Sequence, residues 1–136
     1  MNRERLRAFR DARQELTQLK VQLGEMEARM YAPKGQQMSF QPHGGSGDGR
    51  SMETMAAAHI QLGELYNDKI LRLEMEQYAI EQALEDLHPK ERMVVRARYL
   101  EGQSWDQVCR SVHFEWSQTH RIHASALRKL EENDQK

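Results

Sequence analysis

LHPKERMVVRARYLEGQSWDQVCRSVHFEWSQTHRIHASALRKLEEN, residues 87–133, is the stretch on which the fold turns. Pro89 suits a first helical position, where its missing N–H is no loss. Met93, Val94, Ala97 and Leu100 then share one face, flanked by Val95 and Tyr99, and Gly102 is placed to end the helix in a left-handed conformation. Ser104 and Gln107 make the Ser-x-x-Gln pattern of a capping box that opens a second helix. There Trp105, Val108, Cys109 and Val112 recur at i, i+3, i+4 and i+7, a buried face about two turns long. A turn through His113 and Phe114 leads into a third helix. Its periodicity predicts Thr119, Ile122, Ala126, Leu127 and Leu130 inside, with Ser117, Gln118, His120, Arg121, Ala124, Ser125 and Arg128 outside. A short helix, a tight turn and a longer helix with a polar outer flank is the arrangement that lets one helix enter the major groove of DNA. Generic three-helix packing has similar periodicity, so spacing alone leaves the two readings level.

Upstream of this block the pattern lengthens. Phe9, Ala12, Leu16, Leu19, Leu23, Met26 and Met30 step by threes and fours, the seam of a helix that packs on another helix. Arg3, Arg7, Arg10, Arg13 and Lys20 lie mostly off that seam. Residues 31–51 hold Pro33, Pro42 and the run GGSGDG, which predicts a flexible loop with nothing to bury. No Lys-Ser/Thr pair follows the glycines and no apolar strand precedes them, so a phosphate-cradling loop is not indicated. Ser51 is a plausible N-cap for a second long helix to about Leu87, striped by Met52, Met55, His59, Leu62, Tyr66, Ile70, Leu73, Gln77, Ile80, Leu84 and Leu87. Gly63 weakens it by about 1 kcal/mol relative to Ala. The expectation is an all-α chain in two parts. A helical arm, residues 1–87, forms a coiled-coil-like hairpin, and a helix-turn-helix domain occupies residues 88–136. A two-helix arm leaves part of its stripe uncovered, so Phe9, Leu16, Leu19, Leu23, Met26, Leu62, Tyr66, Leu73 and Ile80 are the expected homodimer contacts.

The 136 residues carry 20 Lys and Arg against 21 Asp and Glu, a net charge of −1, but the signs are segregated. Residues 52–87 are acidic, and residues 90–129 are basic. A basic block in a neutral chain permits phosphate contact, although a solvated helix face explains the charge equally well. No stretch approaches the ~20 apolar residues of a membrane span. The first residues lack the apolar core of a secretory signal, and the single cysteine, Cys109, fits a reducing cytoplasm.

On the third helix, Arg121 is the natural base reader, because a guanidinium grips a guanine edge with two hydrogen bonds. Gln118 suits adenine, and Ser117 and His120 reach base edges or phosphate. Trp116 faces a thymine methyl or caps the core. Lys90, Arg92, Arg96, Arg110, Ser125 and Arg128 are the phosphate candidates. His120 and His123 have a spacing that zinc ligands use, but no further ligand is suitably spaced, so no metal is expected. Cys109 reads as a small core residue, and no catalytic triad, carboxylate pair or cofactor fingerprint stands out. Neither an enzyme nor a cofactor is expected.

Leu87, Pro89, Glu91-Arg92, Val94, Arg98-Tyr99-Leu100-Glu101-Gly102, Ser104, Val108, Ile122, Ala124 and the ending Ala126-Leu127-Arg128-Lys129-Leu130 resemble the fourth region of bacterial sigma factors. The layout of the whole chain is similar to small phage and prophage regulators of the ArpU and RinA kind. That resemblance implies a transcription regulator in the cytoplasm of a bacterial host, binding double-stranded DNA and touching RNA polymerase to switch on late genes. A small terminase subunit, or a polymerase-binding module without DNA readout, is the alternative. Three positions depart from the pattern. His113 stands where the turn often has Gly, Glu115 replaces a Ser or Thr cap, and Trp116-Ser117 replaces a charged base-reading pair. The promoter sequence read by such proteins therefore does not carry over.

Overall fold

The computed structural model describes residues 1–32 and 48–136, with side chains from residue 52 onward in the second stretch. Among these residues there are helices and no strands: α1 (Arg3–Met30), α2 (Asp48–Leu84), α3 (Pro89–Val95), α4 (Trp105–Val112) and α5 (Trp116–Asp134). The fold is all-α, and its two long helices come first. Most of the expected loop, residues 33–47, lies outside the described residues. Because α2 begins at Asp48, Ser51 is inside the helix rather than its cap.

The chain divides into two compact units, Leu16–Ile70 and Met1–Glu15 with Leu71–Lys136. The unit that holds the helix-turn-helix is therefore larger than residues 88–136. Its core explains why. Met1, with Leu6 and Phe9 from the start of α1 and Ile80 and Leu84 from the end of α2, closes over Leu87, Val95, Tyr99, Leu100, Ala126, Leu127 and Leu130. Helices as short as α3 and α4 cannot enclose a core alone, and the missing apolar wall comes from the two long ones. Arg5 pairs with Glu76 at 2.5 Å on the same unit.

In the other unit Leu19 is buried, while Leu16, Leu23, Met26, Leu62 and Tyr66 are half-buried. His59 meets Glu27 at 3.1 Å. Two of the residues expected at a dimer contact, Phe9 and Ile80, are thus enclosed within the chain, and Leu73 packs against the same core. The apolar surface of Phe9 and Ile80 is already covered within the chain, whereas Leu73 is half-buried.

A π-helical turn, Arg96–Leu100, continues α3 and shapes everything after it. Its signature is the Glu101 N–H donating to the Arg96 carbonyl five residues back, at 2.9 Å. The extra residue in that turn shifts the helix register. Val94 and Val95 then both point inward, as do Tyr99 and Leu100, whereas Met93 is 47% exposed. The single apolar face expected for this helix is split into two. One half joins the core above, and the other, Val94 and Ala97, builds a second cluster with Val108 and Val112.

Candidate nucleic-acid interface

The turns that set the helix-turn-helix are specified locally. Gly102 has φ 69°, the left-handed conformation required where α3 stops. Ser104 then caps α4: its hydroxyl accepts from the Gln107 N–H at 3.3 Å, and Gln107 Oε1 accepts from the Ser104 N–H at 2.9 Å. At the far end of α4, His113 also takes φ 60° and ψ 37°. A side chain in that region costs roughly 1–2 kcal/mol relative to right-handed backbone. The turn needs this geometry to swing the chain from α4 into α5, and the sequence supplies it without Gly. Glu115 precedes α5 in extended conformation and makes no side-chain cap.

On α5 the inward face is Thr119, His123, Ala126, Leu127 and Leu130. Ile122 is only half-buried, against the smaller cluster, and His123 takes the inner place. His123 is 5% exposed and shares a 2.8 Å hydrogen bond with the Tyr99 hydroxyl. Burial, reinforced by the positive charges of Arg3, Arg98 and Arg7 and by His120, pushes its pKa down to about 4. Burial likewise pushes the Tyr99 phenol up. The helical period alone puts residues 122 and 123 about equally near the core; the space beside Tyr99 and Trp105, made by the π turn, selects His123.

The outward face carries Ser117, Gln118, Arg121, Ala124 and Arg128, all exposed. Arg121 makes one long hydrogen bond, 3.5 Å to the Ser117 carbonyl, and no ion pair among the described residues. With Ile122, Ser125, His88, Lys90 and Glu91 it lines an open groove of about 280 Å³. Lys90 lies over the Phe114 ring at 5.4 Å from its centroid, which leaves its ammonium beside that groove.

Other expected contacts are placed differently. His120 is wedged between Trp105, at 4.4 Å, and Trp116, at 4.3 Å between ring centroids. Its Nε2 is buried without a hydrogen-bond partner, so the imidazole is a filler between two indoles rather than a base reader. Trp116 itself is 53% exposed and neither caps the core nor stands clear of the helix. Arg92 pairs with Glu85 at 3.5 Å and Arg96 with Glu81 at 2.6 Å, acids at and just beyond the end of α2, so each already has a carboxylate partner. The Ser125 hydroxyl donates to Glu91 at 3.1 Å, and the same buried carboxylate takes Lys129 at 2.6 Å. Burial alone would raise the Glu91 pKa, but the hydrogen bonds from Lys129 and Ser125 outweigh it and hold the carboxyl below its usual range. Arg110 and Arg128 remain exposed and unpaired among the described residues. Cys109 is half-buried rather than part of the core.

Among the described residues no three His, Cys, Asp or Glu side chains gather into a metal-binding group, and no helix is long and apolar enough to cross a membrane. The outward face of α5, edged by Arg110 and Arg128, which are unpaired among the described residues, is the exposed polar flank of a helix-turn-helix. Residues 17–132 match the family described as "Protein of unknown function (DUF722)", and the chain belongs to that family. No curated protein and no solved structure matches it.

Proposed function

We propose that this chain is a DNA-binding transcription regulator of phage or prophage type that lays α5 in the major groove. One observation carries the reading. Arg121 projects from the exposed face of α5 with no carboxylate partner among the described residues, whereas Arg5, Arg92, Arg96 and Lys129 are paired internally. A guanidinium held only by a long bond to its own helix is free to grip a guanine edge. Ser117, Gln118 and Ala124 share that face, while Lys90, Arg110 and Arg128 at its edges are suited to the phosphates on either side. The reading also takes in the resemblance to sigma region 4. In that role the regulator acts in the cytoplasm of a bacterial host beside RNA polymerase, switching on late genes. Self-association falls to the half-buried Leu16, Leu23, Met26, Leu62 and Tyr66.

The test is equilibrium binding of the full chain to random-sequence duplex across a salt series. Affinity should fall with salt, and an Arg110→Ala, Arg128→Ala variant should lose about one unit of log–log slope for each contact removed. A slope unchanged by both substitutions would contradict this docking. Sedimentation separates the two DNA-linked readings: a dimer fits the regulator, and a closed multi-subunit ring fits a packaging protein.

A further inference from the structure

A second basic site lies away from the outward face of α5. Arg3, Arg7 and Arg10 follow one another at i, i+4 and i+7, which stacks them on one face of α1. With Arg98, Asp11, Tyr99 and Trp105 they line a cavity of about 180 Å³, the volume of roughly six water molecules. Two of its arginines are held in place by the fold. Arg10 donates to the Gly102 carbonyl at 3.5 Å. Arg98 donates to the Gln103 carbonyl at 3.0 Å and lies over Trp105 at 4.7 Å from the ring centroid.

Four guanidiniums around one small space is an arrangement that folding alone disfavours, because like charges repel and the half-buried Arg10 and Arg98 lose water. Burial and the nearby charges of Arg10 and Arg7 lower the pKa of Arg98. Asp11 is the one acid in the lining, and among the described residues none of the four arginines is ion-paired. Arg10 Nε is fully buried with no hydrogen-bond partner, a donor left unused inside the cluster. Buried donors are nearly always satisfied, so this one calls for an acceptor.

We infer that the cavity bounded by Arg3, Arg7, Arg10 and Arg98 binds a phosphate group. Guanidiniums offer paired donors that match phosphate oxygens, and Arg10 Nε supplies one more. Two sources have this chemistry: a backbone phosphate of DNA and a free phosphorylated small molecule. The Trp105 ring that lines the cavity stacks on His120, which stacks in turn on Trp116 at the start of α5. That chain of rings puts the cavity close enough to the proposed groove-binding helix for one duplex to reach both. The phosphate site itself does not depend on the DNA reading.

The experiment is calorimetric titration of the full chain with inorganic phosphate, against sodium chloride at matched ionic strength, for wild type, Arg7→Gln and Lys20→Gln. Arg7 and Lys20 are both exposed on α1, so neither substitution touches the core. Wild type and Lys20→Gln should bind phosphate with the same affinity, and Arg7→Gln should bind about tenfold more weakly or worse, the loss of one charge-assisted hydrogen bond. Absence of phosphate-specific heat, or equal affinity in all three proteins, would overturn the site. The salt series on random duplex then identifies the source. A slope reduced by about one unit in Arg7→Gln assigns the cavity to a DNA phosphate, and an unchanged slope assigns it to a free phosphorylated ligand. Failure of all three proteins to bind duplex would sink the DNA reading while leaving the calorimetric result standing.

Discussion

Acid should unfold this protein through His123 before it acts on the carboxylates. The imidazole is buried beside Tyr99, and its pKa is pushed down to about 4 from an ordinary 6.5. The unfolded chain therefore takes up the proton first, so protonation favours unfolding. Stability is complete above pH 6.5 and drains away as pH falls toward 4. At about 1.36 kcal/mol per pKa unit the full loss across that window is about 3 kcal/mol, of which about 2 kcal/mol is gone by pH 5. Glu91, held below its usual range, adds its own loss mainly below its ordinary pKa of 4.5, while the Met1 amine, whose pKa burial lowers from 8.0, adds a loss at higher pH, so a variant at residue 123 is needed to isolate the histidine. Urea unfolding at pH 7.5 and pH 5 reads the effect. A loss of that size moves the midpoint by about 1 M for an ordinary m-value. His123→Gln, which keeps a polar group but does not titrate, should remove most of the difference between the two pH values. If the variant loses as much stability as wild type between pH 7.5 and 5, the histidine is not the cause and its assigned environment is wrong.

Three further outcomes test the architecture. Leu6→Ala, at a fully buried site on α1, should destabilise the helix-turn-helix unit by about 2–5 kcal/mol in urea titration; a negligible effect would mean α1 is no part of that core. His113→Gly relieves a left-handed side chain at φ 60° and, after the extra freedom of Gly in the unfolded chain, should stabilise by about 0.5–1 kcal/mol in the same assay. Destabilisation would show that the imidazole makes a favourable contact. Gly63→Ala adds a methyl with nothing within 4 Å to meet it, inside α2, and should raise helix stability by about 1 kcal/mol on thermal melting followed by far-UV circular dichroism. A lower melting temperature would argue against an unbroken α2.

The helices and their capping were legible because they depend on neighbours in sequence. Ser104 with Gln107, Gly102 after Leu100, and the three-four spacing of Phe9 to Met30 each carry their own geometry. What sequence spacing could not give was whatever depends on a partner far along the chain. The π turn at Arg96–Leu100 has no local signature, yet it sets how Tyr99 and Leu100 follow Val94 and Val95 into the core. The enclosure of His123 depends on Tyr99, and the ion pairing of Arg92 and Arg96 depends on acids at and just beyond the end of α2. Phe9 and Ile80 looked like seam residues because a periodic stripe reports that a face is covered without naming what covers it. The arginine cavity was half visible: the spacing of Arg3, Arg7 and Arg10 could be read, but its fourth member, Arg98, could not.

Selection of bound duplexes from a random-sequence pool, run in parallel with wild type and Arg121→Ala at physiological salt, bears most directly on the role of α5. Wild type should enrich a defined motif, and the variant should lose preference at one base pair, a guanine contact, with affinity reduced by about 1–3 kcal/mol. Enrichment of the same motif to the same degree by both proteins, or of no motif by wild type, would contradict the assignment of that helix to base reading.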